Sequence, residues 1–122
     1  MENLFVTYKQ ALELKKLGFD ERCFTKYYES GKLADSLSYL HHNYFGQVNA
    51  PLYQQAFKWF RDKHNLYMQT IRDGGWYAID IGDLTNEDDE SPQRSLVRVG
   101  EYRDFADGES ECLDKLIEIT KK

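Results

Sequence analysis

Apolar residues recur along this chain with two periods, one near 3.6 and one of 2. From Thr7 to Leu17 the residues Tyr8, Ala11, Leu12, Leu14 and Leu17 cover one broad arc, leaving Lys9, Glu13 and Lys16 to water. That is the pattern of an amphipathic helix. Thr7 and Gln10 stand at capping-box spacing, Val6 and Ala11 at hydrophobic-staple spacing, and Gly18 where a left-handed C-terminal cap belongs. The spacing predicts a helix over 7–17. A second helix is predicted from Pro51, which suits a first helical position because its missing N–H costs nothing there. Leu52, Tyr53, Ala56, Phe57, Trp59 and Phe60 share one side, Gln54, Gln55, Lys58, Arg61 and Asp62 take the other, and Asn65 is the stop. Between them, the aromatic run Cys23 to Tyr28 suits a short strand with a turn at Ser30-Gly31-Lys32. Leu33, Leu37 and Leu40 fit a helical spacing while Ser36 to Leu40 also alternates, so both periods stay open over 30–49.

The period then switches to 2. Asp73-Gly74 is a favoured two-residue hairpin turn. It would pair Thr70 with Tyr77, Met68 with Ile79 and Leu66 with Ile81, and directly opposed residues share a face. One face is therefore Leu66, Met68, Thr70, Tyr77, Ile79 and Ile81, almost wholly apolar, and is expected to hold the core. Leu96 to Tyr102 reads as a third strand, with Val97 and Val99 on one face and Arg98 on the other. Asp107 is expected to cap a last helix whose stripe is Cys112, Leu113, Leu116, Ile117 and Thr120, with Lys121 and Lys122 at the negative end of the dipole.

This order predicts an α+β fold. The expected form is two-layer, an antiparallel meander sheet of three to four strands packed against about three helices. The 122 residues suit one domain, 1–122. Leu, Ile, Val and Phe make up about a quarter of them, above the level at which a chain fails to collapse. No apolar run is long enough to span a membrane, and the N-terminus carries no basic-then-apolar signal. A cytoplasmic protein is therefore expected. The net charge of −5 is unevenly spread. Residues 82–95 hold Asp83, Glu87, Asp88, Asp89 and Glu90 against Arg94 alone, which is four of the five excess negative charges. With Ser, Asn and Pro among them, an acidic, mobile surface loop is expected.

Three runs carry a resemblance: Thr7 to Asp20 (TYKQALELKKLGFD), Ala50 to Arg61 (APLYQQAFKWFR) and Cys112 to Ile119 (CLDKLIEI). They resemble an uncharacterised family of small proteins of gut bacteria and their phages and prophages, over most of the chain except roughly 30–49 and 82–95. The resemblance implies a mobile-element context and an intracellular protein. It brings no activity and no catalytic residues with it.

Candidate chemistry is sparse. Cys23, in the expected strand, and Cys112, on an apolar stripe, read as small buried hydrophobes rather than nucleophiles. Neighbouring His41 and His42 point apart, His64 stands alone, and no metal-ligand spacing accompanies them, so no metal site or cofactor is expected. The acidic run lacks the alternating carboxylates and central Gly of a calcium loop. Lys58, Arg61 and Gln54 make a thin basic patch on an acidic chain, which disfavours nucleic acid. The other hairpin face is the notable feature: Tyr67, Ile71, Trp76 and Ala78 point away from the expected core. If nothing covers them, they form an apolar surface for a protein partner. The function expected on this ground is a non-enzymatic phage or prophage accessory protein acting by protein–protein contact. The acidic loop would contribute steering. The alternatives are a small enzyme whose site gathers Asp80, Asp83 and a histidine, a nucleic-acid-binding module, and a homo-oligomer held by the same face.

Overall fold

The structure, a computed structural model, describes residues 4–34, 47–83 and 95–121. It contains three helices and two antiparallel sheets, an α+β fold, in two compact units, Met1–Gln55 and Ala56–Lys122. The boundary falls within the second helix.

In the first unit, α1 (Tyr8–Lys16) forms where the period predicts it. The Gln10 N–H donates to Thr7 Oγ1 at 3.1 Å, and the Thr7 N–H donates to Gln10 Oε1 at 2.9 Å. Both halves of the capping box are therefore made. Gly18 closes the helix at φ +101°, a conformation glycine adopts without strain. Two three-residue strands, β1 (Thr25–Tyr27) and β2 (Val48–Ala50), pair antiparallel with Lys26 opposite Asn49. The strand expected over Cys23 to Tyr28 is thus shorter, and Cys23 lies ahead of it. The turn at Ser30-Gly31-Lys32 is present. Gly31 takes φ +89°, and the Tyr28 N–H donates to the Lys32 carbonyl at 2.9 Å. Residues 35–46, including His41 and His42, lie outside the described residues. The core here is Val6, Ala11, Leu14, Phe19, Val48 and Ala50 around a buried polar cluster. In that cluster Tyr27 donates to the Val6 carbonyl at 2.6 Å and Tyr53 to Gln10 Oε1 at 3.2 Å, so the inward oxygens have partners.

The helix α2 (Tyr53–His64) begins two residues after Pro51 rather than at it. The Pro51 carbonyl instead accepts the Val6 N–H at 3.0 Å and Leu52 bridges to Phe5, which holds residues 51–52 extended. Its apolar side is buried at Tyr53, Ala56, Trp59 and Phe60, and Asn65, at φ +57°, ends it as expected.

In the second unit, β3 (Leu66–Asp73), β4 (Trp76–Asp83) and β5 (Ser95–Tyr102) form a meander in that spatial order. The strand around Thr25 does not join it, so the sheet has three strands. The hairpin turn is Gly74-Gly75, not Asp73-Gly74. Thr70 pairs with Ile79, Met68 with Ile81 and Leu66 with Asp83. Only Gly74 has positive φ, +62°, as a type II′ turn requires at its first central position. This register differs from the expected one by two residues, and since side chains alternate with period 2 every residue keeps its face. Ile79, Ile81 and Leu66 are buried on the expected side. The alternation expected across Val97 and Val99 fails at a bulge. Gly100 faces Ile79 and Arg98 faces Asp80, which leaves Val99 unpaired between them.

The last helix, α3 (Phe105–Lys121), is capped by Asp104, not Asp107. Asp104 Oδ1 accepts the Ala106 N–H at 2.9 Å, and Asp107 lies in the first turn. The helix packs on β4 and β5 with Cys112, Leu113, Leu116 and Ile117 buried. Each large aliphatic in that stripe contributes about 1.5–3 kcal/mol gross by leaving water. Buried Gly108 allows a close approach, and Tyr77 meets Phe105 edge-on with centroids 5.5 Å apart.

Candidate partner-binding site at the hairpin end

The β3–β4 hairpin positions the candidate site. Its last pairs are Ile71 with Ala78, Arg72 with Tyr77 and Asp73 with Trp76. Trp76 and Ile71 are each 44% exposed, so two of the four side chains expected to face outward do so. The other two members of the expected face contribute little surface. Ala78 is buried, a methyl group in register between Ile71 and Glu101. Tyr67 is half-buried, its ring lying across Gly82, where a Cβ would collide with it. The apolar patch therefore contracts to the turn end of the hairpin.

One arginine joins it there, Arg103, while Arg72 stands opposite Tyr77 and so on the other, helix-covered side of the sheet. The Arg103 guanidinium lies over the Trp76 ring, Cζ 4.7 Å from the centroid, and that of Arg72 lies 5.8 Å from the Tyr77 centroid. Such contacts contribute about 0.5–1 kcal/mol at exposed sites. Sequence reasoning missed the first because a contact between a residue past β5 and one at the start of β4 leaves no local periodicity, and the second because the expected register set Tyr77 opposite Thr70 instead of Arg72.

Farther along the same sheet face, Arg98 meets Asp80. Its Nε donates to Asp80 Oδ1, and its Nη2 lies 3.4 Å from Oδ2. The Asp80 side chain is 7% exposed and that of Arg98 51%. The hydrogen bond and charge of Asp80 push the guanidinium pKa up. Asp80 is thus held in an ion pair, and Asp83 ends β4 opposite Leu66. Glu87, Asp88, Asp89 and Glu90 lie outside the described residues.

The remaining candidates separate. His64 packs edge-on against Trp59, centroids 4.9 Å apart. Burial pushes the Cys23 thiol up to about 12, with the Glu21 charge adding to it. Burial does the same to Cys112, helped by Glu109, so neither is a thiolate near neutral pH. Lys58 pairs with Asp62 at 2.6 Å and Arg61 lies 3.9 Å from it, so the thin basic patch is partly neutralised. Among the described residues, no three His, Cys, Asp or Glu side chains gather as metal ligands, and no helix is long and apolar enough to cross a membrane. A cleft of about 380 Å³ in the first unit is lined by Ala11, Phe19 and Val48 with Lys15, Asp20 and Asn49, and contains no Cys, Ser or His.

The chain matches no family model, no curated protein and no solved structure.

Proposed function

We propose that this chain is a non-enzymatic accessory protein of a phage or prophage that acts by protein–protein contact through the end of the β3–β4 hairpin. The exposure of Trp76 beside Ile71, at the tip of a rigid paired ribbon, carries the reading. Tryptophan and arginine are the residue types that dominate binding energy at interfaces, and here both are presented together. A preordered hairpin also reduces the entropy lost on association. The mobile-element context comes from the family resemblance of the 7–20, 50–61 and 112–119 runs. Affinity capture from a lysogenic host with the full chain, beside the Trp76→Ser/Ile71→Ser double variant, tests the proposal. A protein held by the wild type and weakened about tenfold or more by the double variant is expected. Equal retention by both would remove the hairpin end as the site.

A further inference from the structure

The two edges of the three-stranded sheet are built differently. Along β5 the pairing with β4 skips Leu96 and Val99, and such bulges twist an edge away from further partners. All eight residues of β3 pair with β4 without a shift, and its sequence LYMQTIRD holds no proline, lysine or glycine. Of the guards that natural edge strands carry, β3 has only the charges of Arg72 and Asp73 beside the turn. The two-residue turn at Gly74-Gly75 makes Asp73 and Trp76 a hydrogen-bonded pair, and such pairs alternate along an antiparallel ladder. Tyr67, Gln69 and Ile71 therefore direct their N–H and C=O groups to β4. Those of Leu66, Met68, Thr70 and Arg72 point to the open edge, where no other main-chain group among the described residues meets them.

We infer that this edge pairs antiparallel with β3 of a second copy of the chain, joining two three-stranded sheets about a two-fold axis. The strand is complementary to itself in the register centred on Gln69. Met68 then opposes Thr70 of the other copy and Leu66 opposes Arg72, so every outward group of both strands finds a partner. Each residue meets one of its own face, which keeps α3 of both copies on the same side of the joined sheet. Exposed Ile71 comes against Tyr67 of the other copy, an aromatic and β-branched pair. The charges also fit. No like charges are opposed, and Arg72 joins the row that runs through Leu66 to Asp83 of the other copy, two strand spacings or about 10 Å away. A register centred on Thr70 would set Arg72 opposite Met68, on a row that continues to Ile81 and offers no acid. A foreign strand would have to bring this complementarity, whereas a second copy carries it. Trp76 stands opposite Asp73, beyond the paired stretch 66–72, so the hairpin-end contact stays open and the two proposals fail separately.

Edge pairing alone makes an interface at the small end of the known range, so a dissociation constant of about 10–100 µM is expected. Sedimentation velocity of the full chain from about 5 to about 500 µM reads it. Amide exchange followed by NMR locates it: the Met68 and Thr70 amides are expected to slow as concentration rises, and those of β5 to stay as they are. Thr70→Pro removes one outward N–H while sparing the bonds to β4, and is expected to weaken the dimer about tenfold or more. Thr70→Lys keeps every N–H and charges the edge, so it is expected to weaken the dimer even where proline disturbs the sheet. Circular dichroism checks the fold of each variant. Trp76→Ser is expected to leave the dimer unchanged. A monomer over the whole range would overturn the inference. A dimer that both Thr70 variants leave intact would also overturn it, and one that Trp76→Ser dissolves would move the contact to the sheet face.

Discussion

Arg98 on β5 lies directly opposite Asp80 on β4, and its guanidinium, half in water, closes over a carboxylate almost wholly out of it. The asymmetry makes the pair's two ends unequal. Removing Arg98 strands a buried charge, while removing the Asp80 charge leaves an arginine that water can solvate. Arg98→Ala is therefore expected to be the more destabilising of the two changes, with a cost tempered by the half-exposure of Arg98. Asp80→Asn, which keeps the shape and one acceptor, is expected to cost less. Both tryptophans, Trp59 and Trp76, lie in the second unit, so fluorescence-detected urea unfolding reads this unit. Equal costs for the two variants would mean that the pair is not what holds Asp80 in place.

Gly108 sits where α3 passes closest to β4. A Cβ there would be pressed into Ile79 Cδ1 and lie 2.9 Å from Tyr102 Cδ2, and Ile79 is fully buried with nowhere to retreat. Gly108→Ala adds up to about 1 kcal/mol of helix propensity but forces overpacking of about 1–3 kcal/mol. A net loss of stability is expected. Ile79→Val deletes the clashing methyl, so the double variant is expected to be more stable than the sum of the single effects. Additive urea midpoints would show that the helix does not approach as closely as described.

What the linear chain discloses here depends on how local each signal is. The capping box at Thr7 and Gln10, and the Cys112 to Ile117 stripe, are complete within one element, so both are present as read. The hairpin is half-legible. Asp73-Gly74 and Gly74-Gly75 are both acceptable turns and differ by two in register, which alternation cannot distinguish because both bury Ile79 and Ile81. Asp104 and Asp107 compete as caps three residues apart, and it is Asp104 whose Oδ1 accepts the Ala106 N–H. β2 is three residues long and exists through pairing with β1, more than twenty residues earlier. The exposed Trp76 follows from parity, whereas its Arg103 partner and the Asp80–Arg98 pair depend on where β5 ends and bulges.

The turn itself can be tested at its two glycines. Nothing lies within 4 Å of a Cβ at either one, so packing plays no part and the backbone decides. Gly74 has φ +62° and Gly75 does not have positive φ. Gly74→Ala is expected to cost about 1–2 kcal/mol, whereas Gly75→Ala is expected to be neutral or to gain about 0.4–1 kcal/mol by restricting the unfolded chain. The same fluorescence-detected urea midpoints measure both. A turn centred on Asp73-Gly74 would not spare position 75, which would then be paired in the strand.

Thiol reactivity separates a contact protein from one using cysteine chemistry. With its pKa pushed up to about 12, Cys23 is a thiolate about one part in 10⁴ at pH 8, against about a quarter for an ordinary thiol. Alkylation by iodoacetamide at that pH is expected to be slower by about 10³-fold than in the urea-unfolded chain. Cys112, fully buried, is expected to react only on unfolding. Rapid, stoichiometric labelling of folded Cys23, mapped by mass spectrometry, would restore it as a candidate nucleophile.

Alkaline pH probes the packing of α3. Burial, then the hydrogen bond to Glu111 and its charge, push the Tyr102 phenol from 10.0 up to about 12. Burial takes the Cys112 thiol from 9.0 to about 12. In both cases the folded chain keeps a proton that the unfolded chain releases. Their stabilisation is therefore fully present below about pH 9 and falls as pH climbs through 9 to 12. Cys112 begins the loss near 9 and Tyr102 joins near 10. Tyr102→Phe keeps the ring against Gly108 and removes the ionisable group. The variant is expected to lose stability less steeply than the wild type between about pH 10 and 12, while both change alike between about 9 and 10. Urea midpoints followed by tryptophan fluorescence across that range measure the difference. Parallel curves for the two proteins throughout would show that the phenol ionises no differently in the folded and unfolded chains, and that Glu111 does not hold its proton.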